Sequence, residues 1–465
     1  MIPMQLREMS NACLATADPE APLNKMVLQV GTDTRTLRAG SLFVALKGEK
    51  FDGHAFLNSA AEKGAIAAMV SSRIENSPLP LLVAPDTLVA LGSLGRCVRE
   101  LSSACVVGIT GSVGKTTTKA LTSLAVSSLS VLRTAGNQNN EIGVPLTLLD
   151  LETHHQAAIV EMAMRAPGEI AYLSEIAQPD IAVITNIGLS HIGRLGSKEA
   201  IADAKAEIFT GLRPGGVAIL NRDEPFFERL VAAAAGARVV SFGLSPDSDV
   251  SACDVEDHGI LGVSFCCRAS GSETQVSLSS GGVHLVLNSL AAIAVAIALQ
   301  IPLEDAASAL QSFSTAAGRG ALLSTADGRV VIDDAYNASP DSVEAALRQL
   351  ASTPEYPRRV AVLGDMLEMG CHAEGGHRRV GRAAARYGVN SLVCVGPQSI
   401  AMAEEARMAG MPSGAVRWYS DSLAAAIDCD SWNRDADVIL VKGSNGTRMR
   451  VIVEALIKDA DRQQP

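Results

Sequence analysis

The chain has 465 residues, of which 48% are hydrophobic and 3% aromatic, and it carries a formal net charge of -11. This length exceeds what one hydrophobic core supports, so we expect roughly three domains. The negative charge and the scarcity of aromatic side chains exclude nucleic acid binding by bulk attraction or by base stacking.

Cysteine usage and hydropathy limit the class of protein further. Nine cysteines occur without any C-x-x-C motif, so neither a disulfide framework nor a zinc site is indicated, and we expect reduced thiols. The N-terminus mixes Arg7 and Glu8 with polar residues and lacks a secretory apolar core. The longest apolar run, residues 290–299, is too short to span a bilayer. We expect a cytoplasmic protein without membrane insertion, and a monomer.

The predicted elements begin with a small α/β domain, which we assign to residues 1–100. Short strand-like runs alternate there with helical and turn-rich pieces. The predicted strands are residues 42–46, 66–70 and 81–83.

Residues 101–314 are predicted to form a central unit with a mostly parallel sheet, because strands and helices alternate. Its predicted strands are residues 106–107, 157–160, 180–184 and 217–220. Between residues 239 and 287, short alternating runs with Gly and Ser turns predict a small antiparallel insertion. Residues 315–465 are predicted to form a Rossmann-like α/β unit, with strands at 330–332, 360–363, 392–395 and 438–441.

The stretch Gly-Ile-Thr-Gly-Ser-Val-Gly-Lys-Thr at residues 108–116 lies between a predicted strand and a predicted helix. Glycines allow backbone N–H groups to surround phosphate oxygens, Lys115 can reach the terminal phosphates, and Thr116 can bind Mg²⁺. The strict pattern would have its first glycine at Ile109, whereas here it is Gly108. The alternative interpretation is a glycine-rich turn with an exposed lysine.

Three further residues follow predicted strand ends or lie on a predicted helix. Glu161 directly follows a strand, where a carboxylate could bind the metal of a nucleotide, or could instead cap a helix. His191 follows a second strand end, and an ordinary core or surface histidine is equally compatible. Lys205 lies in a predicted helix, where the alternative is a solvated ion pair.

Polar segments elsewhere leave similar alternatives open. Residues 139–145 form a loop that includes Asn140 and could simply be a tight connection. Residues 333–340 follow a strand and could bind a nucleoside or cap a helix. Arg319 lies in the predicted hinge, where it could reach phosphates or be an ordinary linker residue. Lys442 and its neighbour Ser444 have the same ambiguity.

These segments form one ordered pattern. They are Gly108 to Thr116, Asn139-Asn140-x-x-Gly143-x-Pro145, Glu161-Met162-x-Met164-Arg165-x-x-Gly168-Glu169-Ile170, Thr185-Asn186-Ile187-Gly188 with His191, Ala204-Lys205 with Ile208-Phe209, Asp334-x-Tyr336-Asn337-x-x-Pro340, and Leu363-Gly364-Asp365-Met366-x-Glu368-Met369-Gly370. Their order and spacing resemble the Mur ligases, ATP-dependent amide-forming enzymes of peptidoglycan precursor synthesis, and Gly108 is that family's form of the phosphate loop.

Within the family, the pattern resembles the branch that adds D-alanyl-D-alanine. The residues that carry this resemblance are Asp33-Thr34-Arg35, residues 40–48, Phe51-Asp52-Gly53-His54, and residues 363–370 followed by His377. The Asp-Asn-Pro-Arg motif of the branch that adds the third amino acid is absent. Thr34 stands where serine is usual, and Leu285 replaces an asparagine of the family pattern, although His284 and Asn288 remain.

The resemblance implies a role for each matching residue. Lys115, Glu161, His191, Lys205, Asn140 and Arg319 are expected to be catalytic. The expected ATP contacts are Gly111, Ser112, Gly114, Lys115, Thr116, Thr117, Asn288, Arg319, Asp334 and Asn337. Two Mg²⁺ ions are expected on Thr116, Glu161, His191 and Lys205, with Lys205 carbamylated by CO₂. The UDP moiety is expected at Asp33, Thr34, Arg35, Lys47, Gly48 and His54, and the dipeptide at Lys442 and Ser444.

The expected reaction has two chemical steps. ATP would phosphorylate the terminal carboxylate of a UDP-N-acetylmuramoyl-tripeptide, and the amine of D-alanyl-D-alanine would then displace phosphate. Two alternatives remain open at this point. One is the same chemistry with a single amino acid as acceptor, and the other is a P-loop switch that binds ATP without ligating anything.

Overall fold

The structure, a computed structural model, describes residues 1–325 and 327–462, which form three α/β units in chain order. In the first unit, four parallel strands and one antiparallel edge strand form a sheet in the order β2-β7-β6-β5-β4, and β1 pairs with β3 outside it. Its strands are β1 Met4–Gln5, β2 Thr16–Ala17, β3 Met26–Val27, β4 Gln29–Gly31, β5 Ser41–Val44, β6 Ala67–Val70 and β7 Leu81–Val83. Its helices are α1 Leu6–Ala12, α2 Leu57–Glu62 and α3 Thr87–Leu101.

The central unit contains a nine-stranded sheet in the order β16-β15-β14-β13-β12-β11-β8-β10-β9. Its strands are β8 Cys105–Thr110, β9 Val131–Arg133, β10 Ala157–Glu161, β11 Ile181–Ile184, β12 Val217–Asn221, β13 Arg238–Gly243, β14 Val250–Asp257, β15 Val263–Ala269 and β16 Ser272–Leu278. Its helices are α4 Lys115–Ala125, α5 Gly143–Leu149, α6 Glu169–Ala177, α7 Ile192–Leu195, α8 Lys198–Ala206, α9 Phe227–Ala233, α10 Val283–Ala298 and α11 Leu303–Leu310.

The antiparallel strands of the central unit continue its main sheet. β14 pairs in parallel with β13 and antiparallel with β15, so the predicted insertion is the far edge of the same sheet. Within this region Gly259–Leu261 forms a 3-10 turn, and β15 begins after it at Val263. β10 and β11 flank β8 on either side, so their carboxyl ends lie beside the phosphate loop.

The third unit has a six-stranded sheet in the order β17-β18-β22-β19-β20-β21, parallel except for the edge strand β17. Its strands are β17 Ala321–Ser324, β18 Val330–Asp334, β19 Arg359–Gly364, β20 Ser391–Val395, β21 Val416–Tyr419 and β22 Val438–Lys442. Its helices are α12 Pro340–Ala351, α13 Ala373–Arg386, α14 Ile400–Met408, α15 Ser422–Ile427, α16 Asp430–Asn433 and α17 Arg450–Arg462.

Burial explains why the strands read as apolar runs in the sequence. Every residue of β6, β10, β12 and β22 is buried, as expected for parallel strands covered by helices on both faces. In the central unit, separate hydrophobic clusters cover the two faces of the sheet. Within the described residues, no helix combines the length and the apolar character needed to cross a membrane.

Candidate active site between the central and third units

The phosphate loop needs glycine at two positions for steric reasons. Gly111 and Gly114 have φ angles of 153° and 83°, which L side chains rarely adopt. A Cβ atom on Gly111 would overlap the Thr185 hydroxyl, and one on Gly114 would lie 2.7 Å from Asn288 Oδ1. Gly108 lies further back, inside β8. The displaced glycine is therefore a strand residue, and the loop proper begins at Gly111.

The loop after β11 holds the phosphate loop in place. The Ser112 N–H donates to the Asn186 carbonyl at 3.0 Å, and the Val113 N–H donates to Asn186 Oδ1 at 3.0 Å. The Thr185 hydroxyl donates to the Val113 carbonyl at 2.7 Å. Residues 185 and 186 therefore fix the backbone on which a phosphate-binding loop depends.

Lys115 and Thr116 open helix α4 at the end of the loop. Lys115 Nζ donates to the Gly111 carbonyl at 2.7 Å, so its ammonium lies across the loop. Burial lowers the pKa of Lys115, Glu161 opposes the shift, and the Arg319 charge adds to it. Thr117 follows on α4 and is partly buried.

Glu161 is the most completely enclosed carboxylate of the site, with 1% of its surface exposed. Its Oε1 accepts hydrogen bonds from Thr116 Oγ1 at 3.1 Å and from Asn139 Nδ2 at 2.7 Å. Its Oε2 lies 3.0 Å from Lys119 Nζ, which also donates to the Gly136 carbonyl at 2.9 Å. Burial disfavours the ionised carboxylate, but Lys119 and Lys115 outweigh it and lower the pKa of Glu161. The helix-cap alternative does not match these side-chain partners.

Asn139 and Asn140 have different places in the structure. Asn139 donates to Glu161, whereas Asn140 is exposed and its Oδ1 accepts from the Gly143 N–H at 3.0 Å, beside the start of α5. Sequence reasoning selected Asn140 as catalytic and gave Asn139 no role. The catalytic role of Asn140 stays a prediction, and the contact with Glu161 belongs to its neighbour.

His191 and Lys205 both lie close enough to Lys115 for its charge to act on them. Burial, followed by the charges of Lys205 and Lys115, lowers the pKa of His191. Lys205 lies in the last turn of helix α8 with 2% of its surface exposed, and burial followed by the Lys115 charge places its pKa well below the usual value. Because its side chain is buried, Lys205 is not the solvated lysine of the alternative interpretation.

The third unit contributes Arg319 and a buried ion pair. The Arg319 guanidinium lies 4.2 Å from the centre of the Tyr336 ring. Lys442 Nζ donates to Asp334 Oδ2 at 2.7 Å and to the Asn337 carbonyl at 2.9 Å. Burial raises the pKa of Asp334, with Lys442 opposing the shift. Lys442, which we expected at the dipeptide, is thus paired with Asp334, which we expected at ATP.

Neighbouring residues of the polar segment at the end of β18 make different contacts. Ser339 and Ser342 form the capping box of α12, so Asp334 is not needed as a cap. Asn337 Oδ1 accepts from the Ala338 N–H at 2.9 Å. Ser444 Oγ accepts from the Leu367 N–H at 2.9 Å, so it holds the loop that follows β19.

One predicted ATP contact, Asn288, lies on helix α10 next to the phosphate loop. Asn288 is buried and its Oδ1 accepts from the Thr118 hydroxyl at 3.2 Å. His284, one turn earlier, has its pKa lowered to about 4 by burial and then by the Lys442 charge. Leu285, the departure from the family pattern, packs in the hydrophobic core with 3% of its surface exposed.

The predicted UDP-binding residues lie in loops after the parallel strands of the first unit. Asp33 and Arg35 form an ion pair of 2.6 Å on either side of Thr34. Lys47 forms a backbone bridge with Asp52, and the Gly48 N–H donates to the Phe51 carbonyl. His54 Nδ1 lies 2.6 Å from Asp52 Oδ1, and its Nε2 accepts from the Ser71 N–H at 3.0 Å. His54 Nδ1 therefore holds its own loop, and Nε2 joins that loop to the segment after β6.

Sequence reasoning missed several residues at this site. Lys119 lies one helical turn after Lys115 on α4, so its position on the same face was a signal that could have been used. Glu368 and Asp341 come from the third unit, where Glu368 Oε2 lies 3.0 Å from His191 Nδ1 and Asp341 Oδ2 accepts from the Leu189 N–H at 3.0 Å. These contacts join two units, and no local pattern indicates them.

Comparison with known proteins identifies the three units. Family models match residues 27–109 (Mur ligase family, catalytic domain), 109–296 (Mur ligase middle domain) and 318–445 (Mur ligase, glutamate ligase domain). Two curated relatives are named UDP-N-acetylmuramoyl-tripeptide–D-alanyl-D-alanine ligase. That of Bacillus subtilis (strain 168) is 37% identical over 92% of this chain and 93% of its own length, and that of Escherichia coli (strain K12) is 36% identical over the same shares.

Solved structures agree with the sequence comparison. A crystal structure of MurF from Acinetobacter baumannii has a TM-score of 0.90 at 32% identity, covering 98% of this chain and 99% of its own. The MurF ligase of Thermotoga maritima in complex with ADP has a TM-score of 0.82 at 28% identity, covering 94% and 98%. Because the models together match most of the chain and these relatives match nearly all of it, the chain belongs to the Mur ligase family.

Proposed function

We propose that this protein is an ATP-dependent, ADP-forming ligase that adds D-alanyl-D-alanine to a UDP-N-acetylmuramoyl-tripeptide in peptidoglycan precursor synthesis. The observation that carries the proposal is the convergence of a phosphate loop, the enclosed Glu161 and the buried Lys205 around Lys115. The printed names of the relatives support the substrates, and the ADP complex of the Thermotoga maritima relative supports the nucleotide.

ATP would lie between the central and third units. Backbone N–H groups of residues 111–116 and the Lys115 ammonium suit its phosphates. Arg319, stacked on Tyr336, would approach the same phosphates from the third unit, and its charge already acts on Lys115. The predicted roles of Asn288, Asp334 and Asn337 towards the nucleoside belong to this proposal.

The donor set of the cleft fits Mg²⁺. Glu161 offers a carboxylate and Thr116 a hydroxyl, and magnesium prefers oxygen ligands. The lowered pKa of His191 keeps its imidazole neutral, so the ring retains a lone pair that can bind a metal. We propose two ions; bound Mg²⁺ would supply positive charge to the phosphates during transfer.

Lys205 has the properties that carbamylation requires. Its lowered pKa favours the neutral amine, which is the form that reacts with CO₂. The product is a carboxylate on a long arm, which would be attracted to Lys115 instead of repelled by it. An ammonium has no lone pair for a metal, whereas the carbamate has oxygen ligands.

The proposed reaction consists of two displacement steps. An oxygen of the tripeptide's terminal carboxylate attacks the γ-phosphorus of ATP, and ADP leaves with the electrons of the broken P–O bond. The amine of the dipeptide then attacks the acyl carbon, and phosphate leaves as the amide forms and a proton is released. Lys115 and Arg319 would neutralise charge on the transferring group, and contact between the units would exclude water.

The first unit would bind the UDP moiety and the third would receive the dipeptide. The residues proposed for UDP are half-buried Asp33, exposed Arg35 and the loop that His54 holds. Lys442 and Ser444 are proposed for the dipeptide. Because Lys442 is paired with Asp334, the dipeptide would have to bind beside this ion pair or replace it. Domain bounds of 1–100, 101–314 and 315–465, the cytoplasmic location and the monomeric state stay predictions.

A substrate matrix tests the proposal. Purified protein is given UDP-N-acetylmuramoyl-dipeptide or -tripeptide with either a diamino acid or D-alanyl-D-alanine, and ATP-dependent phosphate release is measured. We expect release only with the tripeptide and D-alanyl-D-alanine together. Release with the dipeptide and diamino acid would instead assign the neighbouring activity, and release that depends on neither substrate would support a nucleotide switch.

A substitution tests the carbamate separately. Lys205→Ala should lose most activity, and added bicarbonate or a short carboxylic acid should restore part of it by supplying an anion in the same space. Near-normal turnover in this variant would contradict the role proposed for Lys205.

A further inference from the structure

We propose that the turn Gly259–Leu261 of the central unit positions the third unit at the ATP cleft, with Ile260 as the residue that seats helix α12. The inference rests on the proposed function for its consequence at ATP, whereas the contacts that carry it involve no ligand. The turn lies between β14 and β15, and none of the proposed catalytic residues belongs to it.

Ile260 is packed inside the third unit although it belongs to the central one. Its surface is only 1% exposed. It joins a hydrophobic cluster whose other described members lie between residues 330 and 440, and these include Val343, Leu347 and Leu350 of α12. Because apolar surface leaves water when Ile260 enters this cluster, the contact favours one position of the third unit against the turn.

Hydrogen bonds fix the direction in which the turn meets the C-terminal end of α12. The Ile260 N–H donates to Thr353 Oγ1 at 2.9 Å, and the Thr353 hydroxyl donates to the Gln349 carbonyl at 3.1 Å. Gln349 Nε2 donates to the Gly281 carbonyl at 2.9 Å. Gly259 has φ 63°, and a Cβ atom there would overlap the Thr353 hydroxyl, so glycine is needed for this approach.

The turn is attached to the helix that carries a proposed nucleoside contact. Asp257 Oδ1 accepts from the Gly259 N–H and from the Gly282 N–H, both at 3.0 Å. Gly282 immediately precedes α10, whose Asn288 lies beside Gly114 of the phosphate loop. The seat of α12 is therefore held to the same helix as Asn288.

Helix α12 contacts the central unit at its other end as well. There Asp341 Oδ2 accepts from the Leu189 N–H at 3.0 Å, and the two ends of this 12-residue helix are about 18 Å apart. The Asp341 carboxylate is partly exposed, so water can replace its contact, whereas withdrawal of Ile260 would expose apolar surface. The turn is therefore the end that sets the position of α12, and the Asp341 contact depends on it.

The position of α12 has a consequence for the proposed ATP site. β18 ends at Asp334, and the chain leads through Asn337 directly into α12, so these two residues move with the helix. If only a fraction of molecules have the third unit seated, the apparent affinity for a nucleotide falls in proportion to that fraction. Ile260 should thus affect nucleotide affinity without contacting the nucleotide.

Amide hydrogen exchange tests the positioning without any substrate. The probe is the Leu189 N–H, which is bonded to Asp341 at the opposite end of α12 from the turn. Ile260→Ala should speed its exchange by about tenfold, measured by mass spectrometry on overlapping peptides that include residue 189. Leu261→Ala is the matched control and should exchange as wild type, because Leu261 lies in the same turn and is 46% exposed.

Conservative variants separate the seat from general loosening of the fold. Ile260→Val should lie between wild type and Ile260→Ala. Thr353→Ala removes the acceptor of the Ile260 N–H and should speed exchange at Leu189 by about 3- to 10-fold, whereas Thr353→Ser keeps the hydroxyl and should resemble wild type.

Calorimetry tests the consequence at the nucleotide. Ile260→Ala should bind ADP about tenfold more weakly than wild type. Its affinity for the UDP-N-acetylmuramoyl-tripeptide, whose UDP moiety is proposed at the first unit, should stay within about twofold. A merely destabilised protein would not separate the two ligands in this way.

Three results would overturn the inference: wild-type exchange at Leu189 in Ile260→Ala, equally fast exchange in Leu261→Ala, or unchanged ADP affinity in Ile260→Ala. Thermal melting shows whether each variant is folded, and Ile260→Val and Thr353→Ala decide the question if Ile260→Ala is not. The exchange measurement needs neither nucleotide nor ligation. A wild-type protein without ligase activity would therefore remove the proposed function, while the exchange at Leu189 would still decide whether the turn positions α12.

Discussion

Replacement of Glu224 by glutamine should stabilise the folded protein above neutral pH. Glu224 lies in the turn between β12 and α9, partly buried beneath the loop that carries His191, and it accepts a hydrogen bond from the backbone N–H of Ile187. Burial raises its pKa to about 7, with the Ile187 hydrogen bond and Lys198 opposing the shift and Asp341 and Asp223 adding to it.

The sign and size of the effect follow from proton linkage. In the unfolded chain a glutamate has its ordinary pKa of about 4.5, whereas the folded state raises the pKa of Glu224 to about 7. Between these values the folded state binds more protons, so stability falls as pH rises through this window and stays reduced above it. A difference of this size corresponds to about 3 kcal/mol. Glutamine can still accept from Ile187 and carries no charge, so this loss should disappear.

Thermal unfolding from pH 4.5 to 8.5 measures the effect. For a unit the size of the central one, the expected gain of Glu224→Gln over wild type at pH 8 is about 6 to 12 °C in Tm, with convergence of the two proteins near pH 4.5. Glu228→Gln is the matched control, because that carboxylate is 84% exposed on the following helix. If Tm changes with pH in the same way in wild type and in Glu224→Gln, Glu224 does not have the raised pKa.

Two further outcomes concern the surroundings of Glu161. Lys119→Met, measured in metal-free buffer, should lower the free energy of unfolding by about 3 kcal/mol, because it leaves the buried Glu161 carboxylate with one cation fewer. Adding Glu161→Gln to this variant should recover most of the loss. Lys63→Met is the control and should have no effect, because Lys63 is exposed. Asn139→Ala should lower kcat by freeing Glu161 Oε1, and Asn140→Ala should lower kcat as expected for the predicted catalytic amide and also cost about 1 kcal/mol of stability through its turn. An unchanged kcat in Asn140→Ala would contradict the predicted role of Asn140.

The α/β character and the phosphate loop could be predicted because they depend on local sequence. A strand, a glycine loop and a helix follow one another directly, so residues 108–116 carry their own signal. Glu161 was predictable for the same reason, as the last residue of an apolar strand beside that loop.

What could not be predicted depends on contacts between distant segments. Asn139 and Asn140 are chemically identical neighbours, and only the turn geometry decides that one meets Glu161 and the other Gly143. The antiparallel strands were recognised, but their attachment to β13 depends on long-range pairing. Glu368 lay within a recognised motif, and its contact with His191 requires the packing of two units, which no spacing along the chain indicates.

The distribution of charge explains how an acidic protein can receive an acidic substrate. The whole chain has a net charge of -11, which keeps extended polyanions away by repulsion. Beside the phosphate loop the local charge is positive, because Lys115 and Lys119 both act on Glu161 and the charge of Arg319 reaches Lys115. Burial of a cation is unfavourable, and for this reason the pKa values of Lys115 and Lys205 are both lowered. A polyphosphate bound at the phosphate loop would stabilise these buried cations.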